Sequence, residues 1–280
     1  MLNKKAMLVN LSISQWGARK YDRATSAEID ATHGTADAGR YNKCLIAQAV
    51  IKTVSQVATT ARTYHYTNTL PWNDNGARIL PTSNYLEYTQ EIKQHQSLFF
   101  AAVKDLVDNY PQLVADAQLN LKTLFNSDDY PAAGTIQDKY RFTVEIDPIP
   151  EATDFRIDIN SDELKNLQAE IEQRTQQAQA AAMKDLYDRL FTAVNHAAET
   201  LKQPDKIFRD TLIGNLDELA DLLPRLNLTG DPKLNELAQQ VKTKLANQVP
   251  AELRTKEVIR AIAARDAAQI LADMSAYMGS

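Results

Sequence analysis

The residues of this sequence that could do chemistry are concentrated in the first 80 positions, where basic and aromatic side chains are interleaved. This section holds ten Lys/Arg against five Asp/Glu, whereas the whole chain of 280 residues has a net charge of -5. Cations neutralise phosphates, and flat aromatic rings stack on unpaired bases. We therefore predict a nucleic-acid surface, formed by Trp16, Arg19, Lys20, Arg23, Arg62, Tyr64, His65, Tyr66, Trp72 and Arg78.

Within this surface the rings and the cations have different expected roles. We expect both tryptophans, with Tyr64 and Tyr66, to stack on bases, and the arginines and Lys20 to hold phosphates. The stretch from Arg62 to Arg78 is the strongest part, because aromatic residues lie between two arginines on a segment that Pro71 helps to hold. The alternative is that the rings anchor the protein's own core and the cations are only solvated.

A second group of chemistry-bearing residues is the acidic cluster Glu145, Asp147, Glu151, Asp154, Asp158, Asp162 and Glu163. Hard cations prefer such oxygen ligands, and an acid followed by Glu163-Leu164-Lys165 is faintly similar to the metal-nuclease pattern. That pattern belongs on a strand, whereas Glu163 falls at a helix start. A solvated face, or a patch for a basic partner, is therefore the favoured interpretation.

Other catalytic patterns are missing from the sequence. The four histidines, His33, His65, His95 and His196, do not have the spacing of metal ligands, and Cys44 is the one cysteine. A cysteine on a helix face is usually buried rather than catalytic. No phosphate-binding glycine loop, Gly-x-Ser-x-Gly motif or dinucleotide fingerprint occurs. We predict that the protein is not an enzyme and has no catalytic residues, metal site or cofactor.

The composition is that of an ordinary globular protein, with 44% hydrophobic and 24% charged residues. A single cysteine excludes an internal disulfide. No run of 18 apolar residues is present, and residues 1–15 do not resemble a signal peptide. We therefore expect a cytoplasmic protein without membrane contact.

The elements that must position these residues are mixed in type. Alternation at Val9, Leu11 and Ile13 predicts a strand, and residues 142–146 and 155–159 predict a hairpin that would pair with it. Residues 24–39 indicate a loop or a short helix.

The sequence also predicts the elements between residue 41 and Pro111. Residues 41–66 favour a helix, and residues 67–82 an ordered loop or irregular hairpin. A helix should resume near Ser83 with Leu86 facing inward, and Pro111 should begin a further helix.

The predicted helix 160–203 is unusually long, about 60 Å at 1.5 Å per residue. Its apolar seam, from Leu164 to Leu201, is typical of a coiled coil or a homo-oligomer contact. We predict an α+β fold that is mostly helical, with a small antiparallel sheet packed on long helices. Its domains would be a core at 1–203 and a helical section at 204–280.

Two stretches, Leu11–Asp22 (LSISQWGARKYD) and Ala61–Tyr88 (ARTYHYTNTLPWNDNGARILPTSNYLEY), together with the order of elements, resemble a family of uncharacterised tailed-bacteriophage and prophage proteins. The resemblance covers about Leu8 to Leu201. It implies a setting, the cytoplasm of a bacterial host, and supplies no site residues.

The predicted function is that of a non-catalytic, oligomeric, phage-encoded protein that associates with nucleic acid, with single strands favoured. The alternative is a helical protein-protein interaction factor, for example an inhibitor of a host or defence protein, without nucleic-acid contact. The helical seam and the net charge of -10 outside the first 80 residues favour this alternative.

Overall fold

The computed structural model describes residues 2–73, 75–151, 161–204 and 206–278, and most of them are helical. The strands are β1 (Ala6–Ser14), β2 (Arg19–Tyr21), β3 (Asn42–Cys44), β4 (Leu70–Pro71), β5 (Arg78–Pro81) and β6 (Arg141–Asp147). The α-helices are α1 (Arg23–His33), α2 (Gln48–Thr67), α3 (Tyr85–Leu121), α4 (Ser161–Leu201), α5 (Thr211–Leu226), α6 (Pro232–Val241), α7 (Pro250–Thr255) and α8 (Glu257–Met278). The predicted α+β class is confirmed.

The strands form a four-stranded sheet in the order β4-β5-β1-β6 and a separate two-stranded ribbon, β2-β3. Strand β1 pairs antiparallel with β5, with Ala6 opposite Pro81 and Val9 opposite Arg78. The predicted strands at Val9–Ile13 and Phe142–Ile146 are confirmed, and so is the irregular hairpin, as β4 and β5. The strand predicted at 155–159 lies outside the described residues.

The chain forms two compact units that are discontinuous in sequence. The first unit comprises Met1–Asn10, Tyr66–Tyr88 and Glu145–Ser280. In its core α4 packs along α8, and both helices bury apolar residues at intervals of three or four, as a helix with one apolar face does. The buried residues are Ala182, Leu186, Leu190, Val194, Ala197 and Leu201 of α4, and Ala263, Ala267, Ile270 and Met274 of α8.

The second unit comprises Leu11–His65 and Thr89–Val144. Its core is formed by α2 and α3 with β6, and Phe99 contacts both Tyr140 and Phe142 with ring centroids 6.3 and 5.6 Å apart. The predicted domains are two continuous segments that meet at residue 203, whereas each of these units combines separate segments of the chain. The division at residue 203 remains a prediction.

The helix predicted over 41–66 is wrong at its start, because residues 42–44 form β3 and α2 begins at Gln48. Residues 24–39 contain a helix, α1. The Asp22 side chain caps α1 by accepting a hydrogen bond from the Thr25 backbone N–H, and Gly34 ends the helix at a φ of 64°.

The prediction that Pro111 begins a new helix is also wrong, because α3 continues through it. Leu106 and Tyr110 before this proline and Ala117 after it are buried, so packing on both sides outweighs the lost backbone hydrogen bond. The inward position predicted for Leu86 is wrong as well. Its side chain is 79% exposed, because Tyr88 and Ile92 form the buried face of this turn instead.

A buried lysine explains why β3 replaces the start of the predicted helix. The Lys43 Nζ atom lies 3.1 Å from Asp22 Oδ2 and 2.7 Å from Asp129 Oδ2, and donates to the Leu124 carbonyl at 2.9 Å. Burial lowers the pKa of Lys43, but its hydrogen bonds with Asp129 and Asp22 outweigh burial and raise that pKa overall. One side chain thus fixes β3, the cap of α1 and the turn after α3.

Replacing Lys43 with Met should lower the free energy of unfolding by about 3 kcal/mol, because two carboxylates lose their shared cation. The hydrogen bond from the Thr25 N–H, and then the one from Lys43, lower the pKa of Asp22, so the part of this stabilisation that depends on Asp22 is lost as the pH falls through that pKa. In urea unfolding, the free energy of unfolding of Lys43→Met should therefore differ less from that of the unaltered protein at about pH 3 than at neutral pH. Lys52→Met, at an exposed position of α2, is the control, and equal loss in both variants would contradict the prediction.

Candidate nucleic-acid interface

The structure divides the ten residues of the predicted surface between the two units. Seven lie in the second unit: Trp16, Arg19, Lys20, Arg23, Arg62, Tyr64 and His65. Three lie in the first unit: Tyr66, Trp72 and Arg78. Each unit therefore carries its own part of the predicted surface.

The exposed part of the second unit is centred on the β2-β3 ribbon. Arg19, Lys20 and Tyr21 form β2 and are all exposed, and Arg23 follows at the start of α1. The Arg40 guanidinium carbon lies 5.8 Å from the centre of the Tyr21 ring, a cation–π arrangement. We call these five residues the basic ribbon.

Tyr21 and Arg40 belong to the basic first 80 residues but not to the predicted surface. The sequence contains one signal that Tyr21 belongs to the site, which is its position next to Lys20. Arg40 joins the group only because antiparallel pairing sets Tyr21 opposite Asn42. A pairing between positions 21 residues apart cannot be read from composition.

Two of the acids near the basic ribbon are engaged in local contacts. Asp22 binds Lys43 and the Thr25 N–H, and Asp30 accepts hydrogen bonds from the backbone of Asp37 and Ala38. In the described part of the chain, none of the four ribbon cations is ion-paired, and Arg19 contacts only the neutral Gln48 side chain, at 3.4 Å. The ribbon therefore presents positive charge to solvent.

Four other predicted residues of the second unit have packing roles. Arg62 donates to the Ile13 carbonyl at 2.9 Å and so ties α2 to β1. His65 is only 3% exposed. The rings of Tyr64 and Trp16 lie 5.1 and 6.0 Å from the rings of His95 and Tyr110. These contacts are those of side chains that stabilise their own unit.

In the first unit, Arg78 binds the turn that follows α2. It donates to Thr69 Oγ1 at 2.7 Å and to the Thr69 carbonyl at 3.0 Å, and its guanidinium lies 4.8 Å from the centre of the Tyr66 ring. Burial, followed by the charge of Arg189, lowers the pKa of Arg78. Trp72 is half-buried against the core of the unit. Of these three residues, only Tyr66 is well exposed, at 55%.

A second arginine, absent from the sequence-based site, binds the same turn. Arg189 of α4 donates to the carbonyls of Thr67 at 2.6 Å, Thr69 at 2.9 Å and Tyr66 at 3.2 Å, and pairs with Asp185 at 2.7 Å. The stretch from Arg62 to Arg78 is thus held largely by protein contacts.

The acidic cluster shows no metal geometry where it is described. Asp154 and Asp158 lie outside the described residues, and Glu145 and Asp147 are exposed on β6. Among the residues that the structure describes, no three His, Cys, Asp or Glu side chains are grouped as metal ligands. In the same residues, no helix is both long and apolar enough to cross a membrane.

Replacing Arg78 with Met should lower the free energy of unfolding by about 2 kcal/mol, because buried acceptors of the turn lose a charged donor. Thermal and urea unfolding measure this loss. Arg23→Met removes an exposed arginine of the basic ribbon and should change stability by no more than about 0.5 kcal/mol. A destabilisation by Arg23→Met as large as that by Arg78→Met would show that Arg78 has no special structural role.

Comparisons with known proteins provide no identity for this chain. No protein-family model, no curated protein and no solved structure matches it. The resemblance to phage proteins therefore stays a prediction, and the functional argument rests on the geometry of the described residues.

Proposed function

We propose that this protein is a non-catalytic nucleic-acid-associated protein that binds single strands through the basic ribbon. The observation that carries the proposal is that four exposed cations lie on or beside the β2-β3 ribbon, with Arg40 against the exposed ring of Tyr21. The proposed setting is phage-infected bacterial cytoplasm, as the resemblance implies.

Single strands are favoured over duplexes because of Tyr21. Its ring is 44% exposed, and a ring can stack only on a base that is not already stacked and paired. The guanidinium of Arg40 lies against that ring and can hold a phosphate next to a stacked base. A ribbon of two three-residue strands is also too short to follow a duplex groove.

Four cations give only modest affinity to one copy of the ribbon. Non-specific binding of this kind has dissociation constants of about 10⁻⁴ to 10⁻⁶ M at physiological salt. A homo-oligomer would present several ribbons to one strand and gain avidity. Oligomerisation is therefore part of the proposal, but the part of the α4 seam from Ala182 to Leu201 packs against α8 within the first unit and is not available for that contact.

Salt dependence tests the number of phosphate contacts. The logarithm of the association constant for labelled single-stranded DNA should fall with the logarithm of salt concentration, with a slope of about -3 per ribbon. The triple variant Arg19→Gln/Lys20→Gln/Arg23→Gln should reduce the slope by about 2 and weaken binding near 50 mM salt by roughly tenfold or more. Fluorescence anisotropy gives both quantities.

A second triple variant, Lys52→Gln/Lys93→Gln/Lys139→Gln, is the control, because it removes the same charge from exposed positions of the same unit. It should bind nearly as well as the unaltered protein. Equal weakening by both triples would mean that net charge, not the ribbon, carries binding. Complete absence of binding would reject the proposal in favour of the protein-protein interaction factor.

Stacking is tested at Tyr21 alone. Tyr21→Leu should weaken binding by roughly 5- to 100-fold, the range for loss of one stacked base, and leave the salt slope unchanged. Tyr66→Leu, at an exposed tyrosine of the first unit, should have no such effect. Anisotropy titrations of the unaltered protein, Tyr21→Leu and Tyr66→Leu with the same oligonucleotide measure these affinities. Unchanged affinity in Tyr21→Leu would remove stacking from the mechanism.

A further inference from the structure

Helix α8 of the first unit has two faces, and the one that is exposed to solvent is unusually apolar. Its buried face packs along α4 in the core of the unit. A surface helix normally carries polar and charged residues on its other face. On α8, in contrast, six of the exposed residues are apolar: Val258, Ala261, Ile262, Ala268, Ala272 and Ala276. We call this side the solvent face of α8.

Two of these apolar side chains are large and branched. Val258 is 72% exposed and Ile262 is 43% exposed. They are four residues apart in one helix, so they are neighbours on its surface, and both lie on the same side of Ala261. Covering them with an apolar partner would be favourable. Exposed apolar residues are nevertheless common on proteins, so the argument for a partner depends on the charges beside them.

One charge of each sign lies on the solvent face, at equal distances from Ala261. Glu257 precedes this alanine by four residues, and Arg265 follows it by four. In the part of the chain that the structure describes, the Glu257 carboxylate has no ion-pair partner. The Arg265 side chain is 76% exposed and has a loose contact of 3.8 Å with the adjacent Asp266. The face therefore has an acidic end, a small centre and a basic end.

This arrangement is complementary to itself. A two-fold axis brings the same patch of two copies together, and an antiparallel pair of helices has such an axis. With the axis at Ala261, Glu257 of each copy faces Arg265 of the other, so two ion pairs form at once. Val258 and Ile262 of both copies then meet on one side of Ala261. The alanine is small enough to let the helix axes approach to about 8 Å. A parallel pair would instead set like charges against each other.

We propose that the solvent face of α8 is a self-association surface, on which a second copy of this chain docks antiparallel and crosses at Ala261. The inference deepens the proposed function, because it names the contact of the oligomer that the function needs, but the contact itself forms without nucleic acid. About two helical turns of each copy take part, which is less than a standard interface of about 1,600 Å². The dimer is therefore weak, and a strand bound to two ribbons would strengthen it by raising the local concentration.

Sedimentation equilibrium of the full chain without nucleic acid tests the contact. We expect a reversible equilibrium between monomer and dimer at protein concentrations from about 1 μM to 1 mM, the range of weak associations. A protein that stays monomeric up to about 1 mM would overturn the proposal. Binding of single strands by the basic ribbon is measured separately by anisotropy, so the failure of one proposal is distinguishable from the failure of the other.

Charge reversal distinguishes this contact from any other. Glu257→Arg sets arginines against each other in both pairs, and Arg265→Glu does the same with glutamates. Each variant alone should therefore weaken self-association by roughly tenfold or more. An equimolar mixture of the two variants should associate about as tightly as the unaltered protein, because unlike charges again face each other. The rescue requires both variants to be folded. Unchanged association of the single variants, or weakening without rescue, would refute the contact.

The apolar part of the contact is tested by a second pair of variants. Val258→Ser/Ile262→Ser should weaken the dimer by roughly tenfold or more, because apolar surface of both copies is no longer buried. The control is Ile207→Ser/Val249→Ser, at residues of the same unit that are 90% and 53% exposed and lie outside α8. It should leave the sedimentation equilibrium unchanged. Equal weakening by the two double variants would mean that the solvent face of α8 has no special role.

Discussion

Arginine side chains bound to the carbonyl groups at helix ends are the interaction on which this structure depends. The last four carbonyls of a helix lack partners within the helix. Arg189 satisfies those at the end of α2, and Arg260 those at the end of α4. Both arginines are on helices whose other faces form the core of the first unit. The turns after α2 and α4 are therefore fixed directly to that core.

The same interaction decides which cations remain available for a ligand. A guanidinium N–H that donates to a backbone carbonyl, as in Arg62 and Arg78, is not available to a phosphate. The positive charge of the first 80 residues therefore overstates the surface that can contact nucleic acid. Of the seven predicted residues in the second unit, three are exposed, and all three belong to the basic ribbon: Arg19, Lys20 and Arg23.

Local sequence patterns were sufficient to predict a strand or helix face where buried residues recur at regular intervals, as in the two examples that follow. The alternation at Val9–Ile13 and the seam of α4 were predicted correctly, because each side chain's face follows from its own position. Prediction failed where distant contacts decided the result. Residues 42–44 form a strand because Lys43 reaches Asp129, and α3 passes Pro111 because Tyr110 is anchored to the Pro131 carbonyl at 2.9 Å. Neither partner is near in sequence, so no local rule could supply it.

The exposed shape of the basic ribbon limits its selectivity for a ligand. The basic ribbon has exposed side chains and no floor, so it can sense phosphate and a stacked ring but not the edge of a base. It should therefore be tolerant of sequence. Selectivity needs a buried donor that penalises the wrong ligand when it is left unmatched, whereas an exposed cation without a partner is simply solvated.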